Sequence, residues 1–207
     1  MTSRRVFLAA GAAVTALAPT AAAAITNKSG PYDFAAIAER LARPAVHRQV
    51  MAVNRVADGT IVGYAKHSMD AVEIAMGAGP GAMHVAAVFY GRGVVLGASS
   101  AMWKTYRLAE NLKRRGDPLS FQTDGHPFAA EFAALVARGT SFFVCDNALA
   151  DWSTYLVTTA GFNDRTIEAV HADLRAHLVP GALLVPAGVA ALNTAQEARF
   201  TYFQASM

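Results

Sequence analysis

Short apolar runs without polar alternation, each separated from the next by an amphipathic stretch, limit the possible folds more than anything else in this chain. Met83 to Tyr90 is one such run, Thr140 to Val144 reads as another buried strand, and Val46 to Val56 is strand-like. Leu183 to Val185 and Phe200 to Gln204 add two shorter pieces. A strand that is apolar on both sides is covered on both sides, and alternation with helical segments makes neighbouring strands parallel through βαβ crossovers. The expected fold class is α/β: a three-layer open, mainly parallel sheet of about five strands with helices on both faces.

Helices are expected at Phe34 to Leu41, ended by Pro44, and at Asp70 to Met76, with Asp70 near the N-terminus and Gly77 and Gly79-Pro80-Gly81 as the stop. Further helical patterns run from Val95 to Arg115, Pro127 to Arg138, Thr166 to Leu178 and Gly188 to about Ala195. Residues 150–164, with Trp152, Tyr155 and Gly161-Phe162-Asn163, read as an excursion inserted into this pattern. There is no internal repeat or low-complexity linker, and 207 residues make one domain, over 45–207.

The first 24 residues have a different character. Arg4-Arg5 precede an apolar stretch from Ala9 to Ala18, then Pro19-Thr20 and four alanines. A positive start, a short apolar middle and a small-residue cleavage site make a secretory signal, and the paired arginines make it a twin-arginine signal. Residues 25–44 follow as a polar lead-in. Twin-arginine export carries folded proteins, so the expected location is the periplasm. The signal also accounts for most of the chain's basic balance. Removing it takes Arg4 and Arg5 from 18 basic residues and nothing from 15 acidic ones, leaving 16 against 15, a net charge of +1. A nucleic-acid partner loses its electrostatic footing. No run of 18 or more apolar residues is present, so no membrane span is expected.

The single cysteine, Cys145, excludes an intrachain disulfide and an all-cysteine zinc site. It falls at the carboxyl end of the Thr140 to Val144 strand, where open α/β sheets gather their functional groups. A thiol there serves as nucleophile or sulfur carrier if it is exposed and partly ionised, and as a small buried hydrophobe otherwise. A following helix N-terminus favours the thiolate, while Asp146 opposes it by like-charge repulsion.

The segment Leu135 to Leu149, reading Leu-Val-Ala-Arg-Gly-Thr-Ser-Phe-Phe-Val-Cys-Asp-Asn-Ala-Leu, resembles the helix, glycine, strand and cysteine of DsrE-like sulfur-metabolism proteins. Leu178 to Leu192, with Pro180-Gly181, a strand and Val185-Pro186-Ala187-Gly188-Val189, resembles a second block of that family, and Gln196 with Phe200-Thr201-Tyr202 resembles its ending. Val85 to Gly93 resembles the strand that ordinarily ends in His-Gly. This resemblance covers about residues 45–204. It implies a parallel-sheet fold assembled as trimers or hexamers, and a persulfide carried on Cys145, with Asp146, Asn147, Tyr90 and Arg92 as binding residues around it. It also implies a sulfur-donor or acceptor protein, or a small sulfur anion, as partner. The sequence departs from the family pattern at Tyr90 (for His), Ala148 (for Thr) and Ala187 (for Ser). An alternative reading is a non-catalytic oligomeric module that binds a small ligand or docks on an envelope partner, with Trp152 and Tyr155 covering the cleft or forming a subunit contact.

Other constellations carry less. The six histidines make no metal-binding spacing, and His171 and His177 lie on different faces of their helix, with Asp173 and His177 placed for a surface pair. His67 with Met69, and Met83 with His84, are residue types copper prefers, but such methionines more commonly fill a core. Neither Gly77 to Gly81 nor Gly91-Arg92-Gly93 fits a nucleotide-binding loop, and no cofactor is expected. Lys104 to Arg115 carries five basic residues against Glu110, a solvated face or a holder of anionic sulfur near the thiol. Ser153, His171 and Asp173 lack the glycines of a hydrolase elbow.

Overall fold

Five strands form one sheet in which every pairing is parallel. They are β1 (His47–Val53), β2 (Met83–Phe89), β3 (Ser141–Cys145), β4 (Ala182–Val185) and β5 (Thr201–Gln204), in the spatial order β4-β3-β2-β1-β5. The computed structural model describes residues 31–206; the export signal expected over 1–24 lies outside the described residues, as does the lead-in up to residue 30. The α/β architecture expected from the apolar runs is the one observed, and all of β2 and β3 is buried.

The order of the strands dictates where the helices go. From β1 to β4 each strand is laid beside the last in the same direction, so right-handed crossovers send all three connections to one face. The return from β4 to β5 crosses the sheet in the opposite sense and takes the other face. Packing follows this rule. The larger apolar cluster holds Ile61 and Met69 of α2 (Thr60–Asp70), Trp103 of α3 (Ser100–Thr105), Leu108 and Leu112 of α4 (Leu108–Arg114) and Phe132 of α5 (Ala129–Ala137). It also takes Trp152 of α6 (Asp146–Thr158) and Leu174 of α7 (Ile167–Ala176). The smaller cluster holds Ile37 and Leu41 of α1 (Phe34–Ala42) and Leu192 and Ala195 of α8 (Gly188–Glu197) against Val50, Val88 and Phe143.

Local chemistry starts and stops these helices. Asp33 caps α1 by accepting the Ala36 N–H at 2.8 Å, and Thr166 caps α7 by accepting that of Ala169 at 3.1 Å. Ile37 and Leu41, one turn apart, bury the inner face of α1.

Four sequence expectations are corrected. The strand read as Val46 to Val56 ends at Val53, because the chain turns through Ala57 and Asp58, both at positive φ. Asp70 is the last residue of α2 rather than near the start of a helix. Gly59, in the left-handed region, opens that helix, and 71–75 extend it as a wider π turn. The single helix expected over 95–115 is three pieces: a 3-10 segment (Gly91–Gly97), α3, and α4 after a break at Arg107, whose φ is 45°. Residues 150–164 are not an excursion, since most of them continue α6. Leu149, Trp152 and Leu156 recur at helical spacing and are no more than 1% exposed, so Trp152 is core and covers no cleft.

Candidate functional site

Ligand sites in open parallel sheets form where adjacent strands send their connections to opposite faces. Here that pair is β3 and β4. The chain leaves β3 into α6 and α7 on one face and leaves β4 into α8 on the other. The two strands end level, with Cys145 opposite Val185. Cys145 therefore stands at the topological switch point of the sheet.

It also stands in front of two helices. Cys145 is the residue immediately before α6. Gly188 opens α8, and a Cβ placed on it would lie 2.7 Å from the Tyr90 Cβ and 3.3 Å from the Cys145 Cβ. The missing side chain lets the N-terminus of α8 close directly on both residues. Two helices thus begin beside Cys145. Cys145 is 5% exposed and packs into the larger apolar cluster.

Asp146 belongs to a polar centre of its own. Its carboxylate, 8% exposed, accepts the Tyr32 hydroxyl at 2.7 Å, pairs with His171 Nε2 at 2.8 Å, and forms an ion pair with Arg175 Nη2 at 2.9 Å. Burial, and then the bond to Asp146, push the Tyr32 phenol above its usual range. His171 and Arg175 are one turn apart on α7, so the helix presents both to the start of α6. Within this centre the Asp146 charge is paired with Arg175.

The other expected residues divide. Tyr90 ends the β2 segment and touches the Gly188 position; burial pushes its hydroxyl up, with the Tyr202 phenol adding to the effect. Asn147 is exposed and its backbone N–H bonds Pro186 O at 3.3 Å, tying the β3–α6 and β4–α8 junctions together. Arg92 does something else. Its Nη1 donates to Arg115 O at 3.3 Å, capping the carboxyl end of α4. Arg115 in turn lies over the Trp152 ring at 4.6 Å and pairs with Asp151, so the basic run over 104–115 braces α4 against α6.

Sequence reasoning missed Tyr32, His171 and Arg175. The i,i+4 spacing of the last two was a usable signal; nothing in the sequence pointed to a tyrosine 114 residues from its partner. The surface pair expected for Asp173 and His177 is present at 3.1 Å, but Asp173 also accepts from the Tyr106 hydroxyl at 2.7 Å and from Arg165 at 3.1 Å. Of the copper candidates, Met69 and Met83 are core residues, and His84 pairs with Ser141 at 3.0 Å, fully buried. Among the described residues, no helix is long and apolar enough to cross a membrane.

No family model matches the chain, and no curated protein matches it. Among solved structures it is similar to a protein of unknown function from Methanobacterium thermoautotrophicum, at 14% identity over 76% of this chain and 98% of that one, with a TM-score of 0.44.

Proposed function

We propose that this protein is a periplasmic sulfur carrier that holds sulfane sulfur as a persulfide on Cys145 and passes it to an acceptor. The observation that carries the reading is the placement of Cys145 at the switch point, before the N-terminus of α6 and against that of α8. Open α/β sheets gather their reacting groups at this position. The DsrE-like blocks around Cys145 and Val185 supply the sulfur chemistry, and with it a trimeric or hexameric assembly. The twin-arginine signal supplies the location.

The chemistry balances without an added oxidant. The Cys145 thiolate attacks the sulfane sulfur of a persulfide or polysulfide; the new S–S bond forms as the donor's breaks, and the donor leaves as a thiolate or a shorter polysulfide. An acceptor thiolate then attacks the outer sulfur of the Cys145 persulfide and restores the original thiolate. Asn147 is the exposed polar group at the mouth of the site, and Asp146 holds the β3–α6 junction in place.

Intact-protein mass spectrometry after polysulfide treatment is the test. The proposal expects added sulfur atoms that disappear in Cys145→Ser; no adduct, or the same adduct in the variant, overturns it.

The 5% exposure of Cys145 favours a second reading, a non-catalytic module that uses the same end of the sheet to bind a small ligand or to dock on an envelope partner. Under that reading Cys145 is packing, and a thiol probe labels it only after unfolding.

A further inference from the structure

The amino end of the sheet, opposite Cys145, carries the three most exposed large apolar side chains among the described residues: Val46 at 73%, Ile74 at 72% and Met76 at 68%. Val46 immediately precedes β1, and the other two lie between α2 and β2, so all three stand where the chain enters the parallel sheet. Single exposed apolar side chains are ordinary, but a group of them gathered at one end marks a contact surface. We propose that a second copy of this chain docks here across a twofold axis, the apolar knob 74–81 of each protomer entering a groove beside the knob of its partner.

Knob and groove both belong to this end. Ile74 to Gly81 has no polar side chain, and seven of its eight residues are exposed. A Cβ added at Gly77, Gly79 or Gly81 would meet nothing within 4 Å, so the segment projects into open space. It is nevertheless braced: Met76 N–H donates to Ala71 O at 2.9 Å, Ala78 N–H to Val72 O at 3.2 Å, and Gly81 N–H to Glu73 Oε1 at 3.0 Å. A tip held in this way loses little conformational entropy on docking. The groove, of about 410 Å³, has Val46, Ala71 and Val72 on its wall, and Val72 is the residue whose carbonyl ties down Ala78. A projection and a recess of like apolar character, side by side, fit a twofold copy of themselves. Because they share one end of the molecule, the contact closes at two protomers instead of growing into a fibre.

Charge agrees with that occupant. Arg199 is exposed and also lines the groove, and Glu197, exposed as well, lies two residues before it. A twofold axis lets Arg199 of one protomer meet Glu197 of the other and the reverse, the reciprocal pairing of an isologous contact. An apolar centre with a rim of both signs is the usual anatomy of a contact between protein surfaces. An anionic lipid layer fits less well, because it repels Glu197 and the exposed Glu39 of α1.

The test is sedimentation equilibrium of the full chain over a range of concentrations. The proposal expects an even number of protomers: a dimer, or a hexamer where a trimer is joined through this end. Ile74→Asp and Met76→Asp, both at exposed positions, should leave the circular dichroism unchanged and weaken the twofold association by at least about tenfold. Arg199→Glu and Glu197→Arg should each weaken it, and the two together should restore it, a recovery that a merely destabilised fold does not show. A monomer or a trimer at every concentration, unchanged association in both aspartate variants, no recovery in the double variant, or binding of the single protomer to phosphatidylglycerol vesicles through Ile74 would overturn the proposal. None of these readouts involves Cys145, so the contact stands or falls apart from the sulfur-carrier reading.

Discussion

Replacing Asp146 with alanine removes the one carboxylate that joins the start of α6, the helix α7 and the N-terminal segment before α1. Three partners lose it: the Tyr32 hydroxyl and His171 Nε2, hydrogen-bonded to it, and the Arg175 guanidinium, ion-paired with it. At about 1 kcal/mol net for each bond, the loss is about 3 kcal/mol. A sealed ion pair would cost more when broken, but the His171 and Arg175 side chains are 21% and 29% exposed and can recover hydration, so the lower figure applies. In a domain of this size that lowers the melting temperature by roughly 6–12 °C. Urea unfolding followed by circular dichroism measures it. Asp146→Asn, which keeps one acceptor oxygen, should lose less. Tyr32→Phe alone should cost about 1 kcal/mol, and Tyr32→Phe combined with Asp146→Ala should be no worse than Asp146→Ala, a coupling of about 1 kcal/mol. An Asp146→Ala protein within about 0.5 kcal/mol of wild type, or a double variant with additive losses, would refute the reasoning.

Two further expectations concern packing and acid sensitivity. Gly188→Ala adds a methyl 2.7 Å from the Tyr90 Cβ; overpacking of about 1–3 kcal/mol outweighs the helix-propensity gain of at most about 1 kcal/mol, so chemical denaturation should show a net loss, and a more stable variant would contradict the close approach of α8 to Cys145. His84 is pushed down from 6.5 to about 4, first by burial and then by Arg43, Arg48 and Arg40. The unfolded chain therefore takes up a proton between those values that the folded one refuses. The associated stability, up to roughly 3 kcal/mol, is whole above about pH 6.5 and is lost as the pH falls toward 4. Thermal melts between about pH 7 and pH 5 should show a smaller acid-side drop in His84→Gln than in wild type; equal drops would count against a buried neutral imidazole.

The sheet was legible because β2 and β3 are buried on both faces and have to be apolar throughout. The helices were legible where one face is apolar and the caps are local, as in α1 with Asp33 and α7 with Thr166. α2 escaped notice because Gly63, Lys66, His67 and Ser68 dilute its pattern; only Ile61, Ala65 and Met69, each one turn apart, record the buried stripe. The break at Arg107 has no local cause in the sequence. It rests on a positive φ that an ordinary residue adopts there, with Tyr106 fully buried beside it. The same limit applies at the site. Cys145 was found because strand ends are visible in a sequence, but Tyr32, Asp146, His171 and Arg175 meet only through the packing of α6, α7 and the segment preceding α1. The partner of Arg92 was illegible for the related reason that a charge beside a strand end has several partners in reach; the carboxyl end of α4 is the one it meets.

The account depends most on whether Cys145 works as a nucleophile in the folded protein. The direct measurement is its alkylation rate by a small neutral probe at neutral pH, in the native state and in denaturant. A working nucleophile at the switch point of the sheet predicts a native rate at least comparable with that of the unfolded chain. A native rate suppressed by orders of magnitude, and rising only as the protein unfolds, would contradict it.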